Sequence, residues 1–511
     1  MPSATEDYPP TDAAQQIPNP AQTVRSSALA CVARFVQEHA FRVILISAGI
    51  LVPCFWHRHI EAGDLASHTY NAWLAELIAK GQAPGLWIAR QWNNVLCDLA
   101  MSDLGNLVGL RVAEKIVVAS AVLIFFWGAF ALMSAATRRV PWFVLPCLAI
   151  FTYGWTFEMG FLNYYVALGF AFWGLALIWQ GERWELAWVA PLAVLSWLAH
   201  PLGTVLLISV GAYLAITRVR PRFQVYVTAA AAVALLLVPS YLAAHYPVRW
   251  SNTPARYFNG GDQLFLYGSR YQTLGFCLLG LVAAFLITDI IVRWRTGKLL
   301  SSIGVPLQLY GLSLLAAWSL PSGIRLPQYP APLNLLAERF TTVCAIFACC
   351  LIAALRPKKW HLVGLSLIAV IFFSFLYQDT GKVDQMESEV EHLVSGLPAG
   401  QRVISTIWTF PNSRIFIMHI VDRAAIGHVL SYGNYEPATQ QFRVRAQPGN
   451  RIVIADFAAG DAIQTGQYTV RPQDLPLVQI YQCDLSLTRL CMRDLAAGER
   501  NGRVGVQAAI R

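Results

Sequence analysis

The sequence predicts a mostly α-helical, polytopic membrane bundle of about eleven spans, followed by a small extracytoplasmic α/β domain. Three observations predict it. Of 511 residues, 56% are hydrophobic and 13% charged, where a soluble globular chain carries roughly a quarter charged residues. Apolar runs of membrane length recur from about residue 40 to 377. Beyond 378 the pattern changes to short alternating segments between Gly, Pro and Asn turns.

Residues 1–38 are rich in Pro and small polar residues and are expected to be a disordered cytoplasmic terminus. They are too long and polar for the n-region of a cleaved signal peptide, so the first apolar run is read as a retained anchor. A span needs about 20 apolar residues. Candidates run at 40–57, 112–136, 140–157, 160–180, 185–199, 202–217, 223–245, 272–292, 300–319, 338–355 and 360–377, and the fifth and sixth are short.

Basic residues orient them. Arg25, Arg34 and Arg42 precede the first span, Arg138 and Arg139 follow the second, Arg218, Arg220 and Arg222 the sixth, "VRWRTGK" the eighth and "RPKK" the tenth. In an eleven-span arrangement all fall on one side, as cytoplasmic loops require. The net charge of +9 is therefore dispersed between spans, and no nucleic-acid partner is expected. Most of the 10 Cys lie in apolar runs without a CxxC pair, which argues against a structural zinc site. Cys483 and Cys491, in the polar tail, are free to pair if that tail is extracytoplasmic.

The outer face then receives a long first loop at 58–111, the "FEMGFLNY" turn, "AHPLG", the loops at 246–271 and 320–337, and the tail at 378–511. The domain reading is thus 1–38, a transmembrane unit at 39–377, and an extracytoplasmic α/β domain at 378–511. In the tail, "VDQMESEVEHLVSGL" has helical spacing, and "RVISTI", "RIFIMHIV", "RIVIADF" and "LVQIYQC" read as strands.

Chemistry concentrates on that face. In 60–80, Tyr70, Trp73, Leu74 and Leu77 form an apolar stripe suited to lying on a membrane surface. Asp64, His68 and Asn71 share another face. Asp64 is a natural N-cap, a role compatible with catalysis. Asp64 and His68 at i and i+4 would supply two metal ligands, but no third is visible; no cofactor is expected, with a divalent metal left open. Asn163, Asp262 and Arg270 are further polar groups of the outer face, and Glu158, His200, Glu338 and Arg339 sit at helix ends, where ionisable groups tend to mark sites. Glu338 and Arg339 read equally as an ion pair. Arg249, Arg256 and Arg325, with Arg339, offer planar donor forks suited to phosphate, or to lipid headgroups. In "HIVDRAAIGHVLSYGNYEPATQQFRVRA", His419, Asp422 and His428 suggest a metal site, although strand alternation followed by a loop explains them more simply.

The "GD...H" helix opening a long first external loop, followed by "KGQAPGLW", resembles the GT-C superfamily of integral-membrane glycosyltransferases, in its bacterial branch. "GFLNYYVALGFAFWGLAL", "HPLG" and "AERF" are similar to its short helix-end motifs, so the resemblance spans roughly 40–377. It implies inverting transfer of a sugar from a polyprenyl-phosphate donor to a lipid, glycan or protein acceptor outside the bacterial inner membrane. Asp64 matches the base of the first loop. His68, Asn71, Glu158, His200 and the arginines would bind substrate. The second acid that several such families carry has no fixed counterpart; Glu61, Asp98 and Asp103 are the nearest acids. Two other classes compete: a non-catalytic scaffold presenting its tail, and a transporter, which would place charges at mid-span.

Overall fold

The computed structural model describes residues 28–182, 184–219, 221–252, 257–296, 299–407, 410–483 and 489–502. The helices are α1 (Ala28–Leu51), α2 (Leu65–Ala79), α3 (Leu96–Val108), α4 (Leu110–Thr137), α5 (Leu145–Thr152), α6 (Trp155–Glu158), α7 (Leu162–Gln180), α8 (Val189–Ala199), α9 (Pro201–Val219), α10 (Gln224–His245), α11 (Ser269–Thr296), α12 (Leu299–Ser319), α13 (Leu336–Ala353), α14 (Lys359–Ser395), α15 (Ile420–Ala424), α16 (Glu436–Thr439) and α17 (Phe457–Gln464). Among the described residues, seven of them, α4, α7, α9, α10, α11, α13 and α14, are long and apolar enough to cross a membrane. In α10 the apolar window has a mean hydropathy of 2.0 and no residue buried within the protein. Such a surface suits lipid.

The central pair is α4 against α7. A Cβ on Gly128 would lie 2.6 Å from the Gly169 carbonyl, so small residues let these backbones approach closely, and Phe125 stacks on Tyr165 beside them. The region 140–157 is not one span. A 3-10 turn at Trp142–Val144, the two-turn α5 and the one-turn α6 divide it, with Gly154 bending the chain between them. The 185–199 stretch is a 3-10 turn at Glu185–Trp188 that runs into the 11-residue α8, an apolar helix shorter than a full span.

Three small sheets complete the fold. Strands β1 (Leu86–Ile88), β2 (Val248–Arg249), β3 (Gly323–Ile324), β4 (Leu333–Asn334), β5 (Arg402–Thr406), β6 (Leu430–Ser431), β7 (Val444–Ala446), β8 (Leu477–Gln482) and β9 (Leu490–Leu495) give the orders β1-β7, β2-β3-β4 and β6-β5-β8-β9. In the last, β5 runs parallel to β6 and β8, and β9 returns antiparallel. Cys483 and Cys491 form a disulfide at the end of the β8–β9 hairpin.

Two expected strands are absent as strands. "RIFIMHIV" is irregular before α15, because Arg414 donates its N–H to Leu266 and its side chain to the Asp262 carbonyl. "RIVIADF" is held by the Asn450 side chain, which accepts from the Ile452 and Val453 amides. The expected boundary at 377/378 falls inside α14, which continues unbroken to Ser395. The first loop and the tail interlock: β1 pairs with β7, Leu86 opposite Ala446, and α15 packs on α2. The stripe expected to face a membrane surface is covered in part by the tail: Tyr70 and Leu74 are fully buried, Trp73 and Leu77 are half-buried, and the Tyr70 hydroxyl accepts the Ser431 amide of the tail.

Candidate active site

Asp64 is placed by a clamp between two loops. Gly63 and Asp64 donate their N–H groups to the carbonyls of Glu158 and Met159 at 2.8 and 3.0 Å. The turn that receives them carries Gly160 at φ +76°, where a Cβ would lie 2.5 Å from the Asp64 nitrogen. "GD" and "FEMGFLNY" are thus two halves of one junction. Asp64 occupies the N-cap position of α2, yet its side chain makes no capping bond. The carboxylate is free to face a site.

That site is closed by the tail. His419 Nε2 lies 3.7 Å from Asp64 Oδ1, and its Nδ1 lies 2.9 Å from Asp422 Oδ2. Asp422 is held in turn by the Ser431 hydroxyl and by Asn434 Nδ2 at 3.0 Å. The Tyr435 ring packs 5.0 Å from His419 and its phenol faces Asp64. Asp64 keeps 17% of its side chain accessible, against 8% for His419 and 5% for Asp422, so of the three it is the group a substrate can reach. Burial alone would depress the His419 pKa, but the bond to Asp422 and the charges of Asp422, Asp64 and Glu436 together raise it.

One turn along α2, His68 Nδ1 is 2.9 Å from Glu436 Oε1 and 3.6 Å from Asp98 Oδ1, an ion pair without hydrogen-bond alignment. Burial opposes its charge, yet Glu436, Asp98 and Asp64 outweigh burial and raise it to about 10. Burial pushes Asp98 up to about 6, helped by Glu436 and opposed by His68 and Arg443. Asn71 donates to the Ser67 carbonyl and to Asn434 Oδ1, both at 2.9 Å, and Ser67 donates to Glu436 at 3.0 Å. These residues build the wall behind Asp64.

Arg339, in the first turn of α13, supplies positive charge. Its guanidinium lies 3.6 Å over the Phe161 ring and is electrostatically coupled to Asp64 and Tyr435. Its Nε is buried without a hydrogen-bond partner, and among the described residues it has no ion pair. The expected pairing with Glu338 is not made; Glu338 accepts from Ser322 instead. His200, edge-on to Tyr164 at 5.3 Å, accepts the Leu202 amide. Burial, with Arg339 beside it, drives it down to about 3, so the ring is neutral.

The remaining candidates divide. Glu158 contributes its carbonyl to the clamp, while its buried carboxyl accepts from Tyr267 at 3.0 Å; burial raises it to about 8 against that bond. Arg249, on β2, and Arg325, just after β3, are exposed, and there the Arg249 side chain donates to Asn334 and the Arg325 amide to Pro247. They are not among the groups that meet Asp64. Arg256 lies outside the described residues. His428 bonds the Leu397 carbonyl, away from His419. The site residues that spacing missed, Ser431, Asn434, Tyr435 and Glu436, all belong to the "SYGNYE" stretch, whose density of polar and aromatic residues was the available signal.

No family model, curated protein or solved structure matches this chain.

Proposed function

We propose that this protein is a membrane glycosyltransferase that moves a sugar from a polyprenyl-phosphate donor to a glycan, lipid or protein acceptor at the outer face of a bacterial inner membrane. The observation that carries the reading is the partly accessible Asp64 carboxylate, electrostatically coupled to an Arg339 guanidinium that has no ion pair among the described residues, with His419, Asp422 and Tyr435 around it. In this reading the broken 140–157 segment and the short 185–199 helix still cross, which makes eleven passes with the amino terminus cytoplasmic and the tail outside.

The chemistry follows from the arrangement. Asp64 takes the proton of the acceptor hydroxyl as its oxygen bonds to the anomeric carbon, a task for a carboxylate within hydrogen-bond reach. The bond from that carbon to the donor phosphate breaks, with inversion, and the electron pair leaves on the phosphate oxygen. Arg339 stabilises that charge as it develops. His419, held by Asp422, orients Asp64 and is a positioning residue, with His68 and Asn71 behind it. Neutral His200 and Phe161 hold the guanidinium in place.

The test compares lipid-linked sugars and surface glycans of the native host by mass spectrometry, with wild type and Asp64→Asn at equal expression. Loss of one sugar from a glycan while its polyprenyl-phosphate donor accumulates supports transfer and names the sugar. Unchanged profiles, where deleting the gene does alter the envelope, would favour a scaffold that presents the tail.

A further inference from the structure

A second polar cluster lies on the other side of Glu61, three residues before Asp64, and takes no part in the proposed reaction. Arg423 of α15 reaches into it. Its Nε and Nη2 grip both oxygens of Glu387 at 2.7 and 2.5 Å, its Nη1 bonds Glu114 at 2.9 Å and the Ile60 carbonyl at 3.1 Å, and Glu61 Oε2 stands 3.6 Å from Nη2. Beside it, His59 is 3% exposed, with Asp384, Glu387 and Glu391 around its ring. Five carboxylates therefore meet three guanidinium groups, Arg423, Arg58 and Arg111, and the last two touch only Glu391 from the surface. Unbalanced buried negative charge is costly unless a cation joins it.

Two further observations point to where that cation sits. Asp384 Oδ1 accepts from both the His59 amide and His59 Nδ1, each at 2.9 Å. A ring whose Nδ1–H is held by a carboxylate presents Nε2 as a lone pair, the usual arrangement behind a metal-bound histidine. Here Nε2 faces oxygens, Glu391 Oε1 at 3.3 Å and Glu387 Oε1 at 4.0 Å, so with Nδ1–H held by Asp384 either a second ring proton or a metal ion stands between Nε2 and those carboxylates. Independently, Glu61 Oε1 is buried with no hydrogen-bond donor among the described residues, on a side chain only 4% exposed. Ligand atoms of His59, Glu61 and Glu387 all lie within 4.8 Å of one another. An ion bound at about 2.1 Å from each draws them together by roughly an ångström.

We infer that His59, Glu61 and Glu387 bind a divalent transition-metal ion that joins the first external loop to α14. One imidazole and two carboxylates suit Zn²⁺. The role is structural: the ion fixes the segment that leads into Asp64, and the inference holds whether or not the chain transfers sugar.

The experiment uses the full-length protein in detergent. After purification through a metal-free desalting step, elemental analysis is expected to find about one Zn²⁺ per wild-type chain. Glu61→Gln and His59→Gln, each checked for a monodisperse, helical protein, are expected to fall to background. After EDTA treatment, adding Zn²⁺ should raise the wild-type Tm by several degrees and leave Glu61→Gln unmoved. Wild-type protein that holds no metal and whose Tm ignores Zn²⁺ would overturn the inference, leaving a proton shared by the acids to close the cage. Equal metal content in wild type and both variants would overturn it as well, since the ion would then sit elsewhere.

Discussion

The Asp64 carboxylate is unusual for what it does not do: it stands at the start of a helix and leaves the cap unmade. The expected cost of replacing it is therefore functional. Asp64→Asn should lower the transfer rate by about 10²–10⁴-fold, the usual worth of a general base, with a Tm close to wild type by thermal unfolding in detergent. His68 is the opposite case. Its proton is held to about 10 in the fold, whereas an unfolded chain releases it near 6.5. Its stabilising effect is complete below about pH 6.5 and is lost as the pH rises toward 10. The wild-type Tm should thus fall more between pH 7 and 10 than that of His68→Gln. Helical spacing in the sequence puts Asp64, His68 and Asn71 on one face, and His200 and Arg339 stand at external helix ends. His419 reads as strand alternation, and Asn434 and Glu436 stand out only as part of a polar, aromatic-rich stretch. Their partners, Ser67 and His68, lie more than 360 residues away in sequence, beyond the reach of any local spacing.

At the scale of elements, the junction between α2 and the turn before α7 decides where Asp64 sits. Gly160→Ala would force a side chain into positive φ, costing about 1–3 kcal/mol, and press its Cβ onto the Asp64 amide. The expected result is a lower Tm together with lost transfer, whereas Gly400→Ala, also at positive φ but with open space around it, should show only the lower Tm. The long apolar runs were readable because a 3.6-residue helix in lipid needs little beyond length and hydropathy. The α2 stripe misled for a physical reason. Apolar periodicity reports that one face is buried and cannot say by what, and here the tail covers Tyr70 and Leu74 of it. Likewise the tail's Ile-rich segments read as strands, but Ile415 and Ile417 are buried by docking on the 262–266 loop, without a partner strand.

In the whole molecule, Arg423 ties four regions to one another: the first loop through Ile60 and Glu61, α4 through Glu114, α14 through Glu387, and its own α15. Removing it would strand buried carboxylates, which costs about 3–5 kcal/mol. Arg423→Ala should accordingly lower the Tm sharply and expose the loop between α14 and β5 to limited proteolysis, while Arg445→Ala, on the partly open β7, should do neither. The division into a membrane unit and a separate tail was the coarsest reading of the sequence, and it followed from a change in composition near 378 that is real. The backbone ignores it. At about 1.5 Å per residue, the 37 residues of α14 make a rod of roughly 55 Å, nearly twice the ~30 Å thickness of a hydrocarbon core. If its apolar half stands in lipid, the polar half is a fixed post, and the height of the tail that roofs Asp64 above the bilayer is set by counting helical turns. A lipid carrier with a short headgroup and one with a long glycan would then meet that roof at different depths, making the length of one helix a ruler for the cargo.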